Sequence, residues 1–249
     1  MPDLALLDIA GPVATLSLNR PEKRNALSLD LIDALHQRVD ALGARDDVVA
    51  VVLTGADPTF CAGMDLKAVL KQPGAPMRLL RSIAELTIKL RTLAPVVIAK
   101  VNGAAIGGGC GLMCVCDLAF THPEAKIGYP EVDIGVCPAV VAPWLVQRVG
   151  AGRARQLLLM GGLMTGAQAG EAGLVTRVVE RDALVGEVEA LAARLASADP
   201  GALRETKVWM NRMEGERLAD VARRGAEVSA NVVETPEARA ALAQVFANR

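Results

Sequence analysis

The sequence predicts a mixed α/β chain, with a mostly parallel, helix-covered sheet followed by a helical final third. Three observations lead there. Apolar strand patterns alternate with helical ones from Val13 to Val101. Between Pro95 and Gly150 only seven of 56 residues are charged, so this stretch reads as buried. From Asp182 to Arg249 the charged count rises to 20 of 68, the composition of helices with one wet face.

The elements follow in order. Leu4–Asp8 and Val13–Leu18 read as strands joined by the turn residues Gly11-Pro12. Ser28 caps a helix running to about Leu42, with Leu31, Leu35, Val39 and Leu42 at helical spacing. Val48–Leu53 and Val96–Val101 are buried strands, and Arg78–Leu93 between them carries a helical pattern. Beyond Asp182 the pattern is helix after helix: Leu184–Ala196, Pro200–Met210, Arg217–Asn231 and Pro236–Phe246. Pro200 and Pro236 suit first-turn positions, where a missing N–H leaves no bond unmade. The division drawn is therefore a core over residues 1–181 and a helical region over residues 182–249.

Composition excludes several function classes. The 249 residues are 52% apolar, enough for a substantial core. With 27 basic against 28 acidic side chains there is no excess of positive charge for nucleic-acid phosphates, and six aromatics give little for bases to stack on. The longest uncharged run, Val101 to Cys116, holds five glycines and an asparagine, so no membrane span is expected. Asp3 and Asp8 occupy the place where an export signal carries positive charge, and five cysteines form no disulfide framework. Both point to the cytoplasm.

Three segments can carry chemistry. In Val101–Gly111 a strand ends, Gly107-Gly108-Gly109 follows, and Leu112–Cys116 continues as an apolar helix. Consecutive glycines cost a helix about 1 kcal/mol each relative to alanine. The run reads equally as a glycine-packed buried helix and as a bare helix N-terminus whose amides face an anion. It is not a dinucleotide fingerprint, because Leu112 stands where the third glycine belongs. The second segment is Thr59–Leu66, where Ala62 and Gly63 let a ligand approach the main chain. In the third, Gly128–Gly135, Glu131 lies among apolar residues that would raise its pKa toward acid/base range, and Asp133 shares its face if the segment is extended. Elsewhere the residues read as structural. Cys110, Cys114 and Cys116 lack metal-ligand spacing, His36 and His122 have no nucleophile partner, and Asp117 sits at a helix-to-strand junction.

Taken together, Asn19–Leu27, Phe60–Lys67, Asn102–Gly109 with Cys116-Asp117, Pro130-Glu131 and Gly161–Val179 resemble the crotonase superfamily, the enoyl-CoA hydratase/isomerase family. The resemblance implies a spiral of ββα units, C-terminal helices that assemble homotrimers or hexamers, and an acyl-CoA substrate. No separate cofactor is implied, since coenzyme A is part of the substrate. By position, the amides of Met64 and Gly108 match the pair that grips the thioester oxygen, and Glu131 matches a catalytic acid/base. Lys23, Arg24, Ala26 and Leu27, with Ala62, Met64, Asp65, Leu66, Lys67 and Gly108, match segments bordering coenzyme A. Lys23, Arg24 or Lys67 would lie near its phosphates, while Met64, Leu70, Met77 and Trp144 are expected in the pocket wall.

One position departs from the pattern. Hydratases of this family usually carry a second glutamate just after the glycine run, and here Gly111 stands in its place. A single carboxylate suffices to move a double bond, which favours isomerase chemistry. Branches with glycine here and a segment like Pro138–Pro143 nevertheless resemble hydratases of branched acyl-CoAs. The expected activity is hydration of an enoyl-CoA, with isomerisation of the double bond as the alternative and acyl-CoA binding without turnover as a further one.

Overall fold

The computed structural model describes residues 3–72, 74–215 and 217–247. Its first two strands, β1 (Ala5–Ala10) and β2 (Val13–Leu18), form a hairpin turned at Gly11, whose φ of 59° suits a residue without Cβ. From β2 onward the chain winds in repeating turns. Each turn gives one strand to a large sheet, one short extended piece to a small sheet, and then a helix. The first turn is β2, Leu27 and α1 (Leu29–Gly43). The second is β3 (Ala50–Gly55), the segment Cys61–Met64, then α2 (Leu66–Val69) and α3 (Ala75–Thr92). The third is β4 (Val96–Val101), β5 (Ala105–Ile106) and α4 (Gly108–Val115). The fourth is β6 (Leu118–Thr121), β7 (Lys126–Gly128) and α5 (Ala142–Met160).

The chain then runs through β8 (Leu163–Thr165), α6 (Gly166–Glu171) and β9 (Arg177–Val178). The large sheet has the order β1-β2-β3-β4-β6-β9 and is parallel apart from the first hairpin. The small sheet is β5-β7-β8. It is extended by the bridges Cys61–Ala105 and Leu27–Met64, which join residues from each of the first three turns.

Helix α1 starts as its sequence predicts: Ser28 Oγ accepts from Leu31 N at 3.3 Å, and Leu31, Leu35, Val39 and Leu42 are buried. The four remaining helices, α7 (Leu184–Ala196), α8 (Pro200–Glu214), α9 (Leu218–Val233) and α10 (Pro236–Ala247), pack back onto the spiral. Leu184, Val188 and Ala192 of α7 cover Ala50, Val52, Ile98 and Phe120 on the outer face of the large sheet. Lys207 of α8 donates to Pro95 O and pairs with Asp117 at 2.7 Å. Asp117 also accepts from Val97 N, so the junction it occupies is cross-linked to both strand and helix. No described helix is long and apolar enough to cross a membrane.

Candidate active site

The bridges at the edge of the small sheet decide where the reactive groups go. Leu27 donates to Gly63 O at 2.8 Å and accepts from Asp65 N at 2.9 Å, so the main chain grips the residues on either side of Met64. Among the described residues the Met64 amide itself donates to no backbone group. Gly108 is the first residue of α4, and a first-turn amide has no acceptor within its own helix. The two segments are in contact: a Cβ on Gly63 would lie 2.8 Å from Ile106 O and 3.7 Å from Gly108 N. The segments that carry two unengaged amides are thus in contact, and one of these amides lies at the positive end of a helix.

Gly107 makes this approach possible. Its φ of 54° and ψ of −117° suit glycine, and its N–H donates to Gly128 O at 2.8 Å. A Cβ there would lie 2.6 Å from Oε1 of Glu131. The carboxyl of Glu131 therefore rests on the bare backbone just ahead of Gly108. Its Oε2 is buried and has no hydrogen-bond partner among the described residues. Burial is the main reason that its pKa is pushed up to about 7, and the Asp133 carboxylate adds to the effect. A carboxyl with that pKa is present in both protonation states at neutral pH.

A cavity of about 450 Å³ opens in front of these groups. Lys23, Arg24, Ala26, Ala62, Asp65, Leu66 and Lys67 line it together with Met64, Gly108 and Glu131. Sequence separations of more than 100 residues thus converge on one hollow. Leu27 differs, because its side chain is fully buried under Gly108 and its part is played by the backbone. The Asp65 carboxylate is occupied too: it pairs with Arg20 Nη1 at 2.8 Å and caps α2 through Ala68 N. Asp133 does not share the face of Glu131. Val132–Ile134 forms a 3-10 turn, and the Asp133 side chain points to Gly162 N at 2.8 Å.

Of the four expected wall residues only Met64 lines the cavity. Trp144 is buried, with Nε1 donating to Thr87 Oγ1 at 3.0 Å, and Met77 and Leu70 pack in apolar clusters behind the wall. Three contributions were missed at the level of sequence. Asn25, buried with φ 54°, accepts from Arg20 N and donates to Ala56 O and Thr59 O, fixing the loop that carries Lys23–Ala26. Val141 closes the space beside Gly111. Leu242, Val245 and Phe246 of α10 form part of the cavity wall, and their i, i+3, i+4 spacing was the available signal.

The hollow brings together Met64, Gly108 and Glu131, the residues that the sequence resemblance singles out. The family model described as enoyl-CoA hydratase/isomerase matches residues 8–246. The chain belongs to that family. A Thermus thermophilus protein named "Putative enoyl-CoA hydratase" is 37% identical over 243 residues, 96% of each chain. The short-chain-enoyl-CoA hydratase of Clostridium acetobutylicum is 32% identical, covering 83% of this chain and 80% of its own. The crystal structure of an enoyl-CoA hydratase from Mycobacterium avium is similar with a TM-score of 0.88 and 30% identity, over 100% of this chain and 98% of that one. The fold is the crotonase spiral, and the chain is an enzyme of the hydratase/isomerase type.

Proposed function

We propose that this enzyme adds water across the double bond of a 2-enoyl-CoA thioester, with Glu131 as its only proton-carrying side chain. The observation that carries the proposal is the buried Glu131 carboxyl, with one unpartnered oxygen, lining the same cavity as Met64 and Gly108, whose amides donate to no backbone group among the described residues. Burial pushes the pKa of this carboxyl up to about 7. The thioester oxygen accepts from both amides. Water attacks C3 and gives a proton to the Glu131 carboxylate, while the C2=C3 electrons move onto the thioester oxygen. The resulting enolate collapses as Glu131 returns the proton to C2. Fixed amide dipoles stabilise the charge on oxygen, and losing one such donor typically costs about 3–4 kcal/mol of barrier. Lys23, Arg24 and Lys67, all exposed at the cavity mouth, supply charge for the coenzyme A phosphates. No group beyond the thioester and water is called on. Exposed Trp209, Met210 and Met213 of α8 give an apolar surface for assembly into a homotrimer or hexamer.

Isomerisation of a 3-enoyl-CoA to the 2-enoyl-CoA is the second reading. It is favoured by the single carboxyl, since Asp133 is turned away and position 111 has no side chain. Incubation with 2-enoyl-CoA and with 3-enoyl-CoA separates the two. Hydration of the 2-enoyl compound is expected; its absence while the 3-enoyl compound is converted to the 2-enoyl one would replace hydration by isomerisation.

A further inference from the structure

We infer that Val141 sets the acyl specificity of this site, selecting an uncharged alkyl chain over one that ends in a carboxylate. The inference rests on the acyl-thioester reading above and names the acyl group that reading leaves open. Gly107 and Gly111 are joined by the 2.9 Å bond from Gly111 N to Gly107 O, so they lie about one helical turn apart, about 6 Å along the axis. Glu131 rests over Gly107, and Val141 rests over Gly111. A Cβ at position 111 would overlap Cγ1 of Val141 and fall 2.8 Å from its Cβ. Val141 is therefore the group that faces the cavity one turn from the reacting carboxyl, and residue 111 is screened behind it.

The surrounding wall has the same character. Val136, Pro138 and Val140 continue it, and α3 adds Leu80 and Ile83. Among the described residues the cations lining the cavity come only from Lys23-Arg24 and from Lys67 at the start of α2. An acyl chain lying along Val141 meets no positive partner, and the charged side chain next to it is Glu131. A terminal carboxylate placed there loses its hydration without compensation and repels Glu131. An alkyl chain gains with each methylene that it buries. The branch at Cβ makes the Val141 side chain stiff, so the wall keeps its shape.

Saturated acyl-CoAs test the wall without any reaction. Calorimetric titration of the full chain with butyryl-, pentanoyl-, octanoyl- and glutaryl-CoA is expected to show pentanoyl-CoA binding at least about tenfold tighter than glutaryl-CoA, which has the same five carbons. Val141→Ala should shift the octanoyl-to-butyryl affinity ratio about fivefold or more toward octanoyl, and Val141→Ile should shift it the other way. Free coenzyme A should bind all three proteins alike. Equal binding of glutaryl- and pentanoyl-CoA, or an unchanged ratio in the variants, overturns the inference while the acyl-thioester reading stands. Failure of every acyl-CoA to bind the wild-type chain overturns both. The isoleucine variant, a single added methylene, keeps the test open if the alanine variant does not fold.

Discussion

Glu131 and Gly107 are fitted to each other: the carboxyl oxygen Oε1 lies 2.6 Å from where a Cβ on residue 107 would be. The Glu131 carboxyl thus packs against backbone that has no side chain, in a conformation that favours glycine. The same residue leads into α4, so one glycine places both the carboxyl and the Gly108 amide.

Gly107→Ala should therefore damage chemistry and folding together. The backbone strain and the clash with Glu131 are expected to lower stability by about 1–3 kcal/mol. Turnover should drop at least about tenfold, because a small misplacement of reacting groups is costly. Denaturant melts and steady-state kinetics on one preparation check both effects. Wild-type kinetics in a folded Gly107→Ala protein would remove the argument.

The raised pKa of Glu131 makes stability fall as pH rises. The native carboxyl keeps its proton up to about 7, whereas the unfolded one loses it near 4.5. Between those values the native state binds more protons, so the contribution of this group is complete below pH 4.5 and is lost by the time pH passes 7. The gap corresponds to about 3 kcal/mol. Glu131→Gln should accordingly be more stable than wild type at pH 8, and this advantage should shrink at pH 5. Urea unfolding at the two pH values measures the difference, and an equal difference at both would contradict it.

Asn25 binds three separate backbone groups from a fully buried position. Asn25→Ala leaves those groups without partners, which should cost about 3 kcal/mol or more. Its loop also carries Lys23, Arg24 and Ala26, so KM for acyl-CoA should rise more than kcat falls. Thermal melts and a full kinetic analysis decide whether both occur.

Lys67 is exposed at the cavity mouth. Lys67→Glu should raise KM with little change in kcat, since a charge far from the reacting atoms contributes equally to ground and transition states. Added salt should narrow the gap from wild type by screening. An unchanged KM at low ionic strength would place the phosphates elsewhere.

Much of this was legible in the sequence wherever the signal is local. The cap at Ser28 and the leucines after it define α1, and α7 runs from Leu184 to Ala196 as its periodicity predicts. The glycine run had two readings, and the structure shows the buried, glycine-packed helix of the first, with Gly109 against Cys61 and Gly111 against Val141, beginning at the Gly108 amide on which the second depends. The small sheet was not legible, because β5, β7 and β8 are two or three residues long and carry no period. Asp133 would share the face of Glu131 only in an extended segment, and that condition is not met: Gly135 at φ 75° closes a 3-10 turn. Val141 was missed for another reason: its partner Gly111 lies 30 residues earlier, and only the packing of α5's lead-in against α4 brings them together.

The most direct test is the turnover of 2-enoyl-CoA by Glu131→Gln, measured alongside its affinity for a saturated acyl-CoA. Removing the one proton carrier while leaving the two amides in place should lower kcat at least about 100-fold with binding nearly unchanged. Turnover equal to wild type would take Glu131 out of the reaction and the account with it.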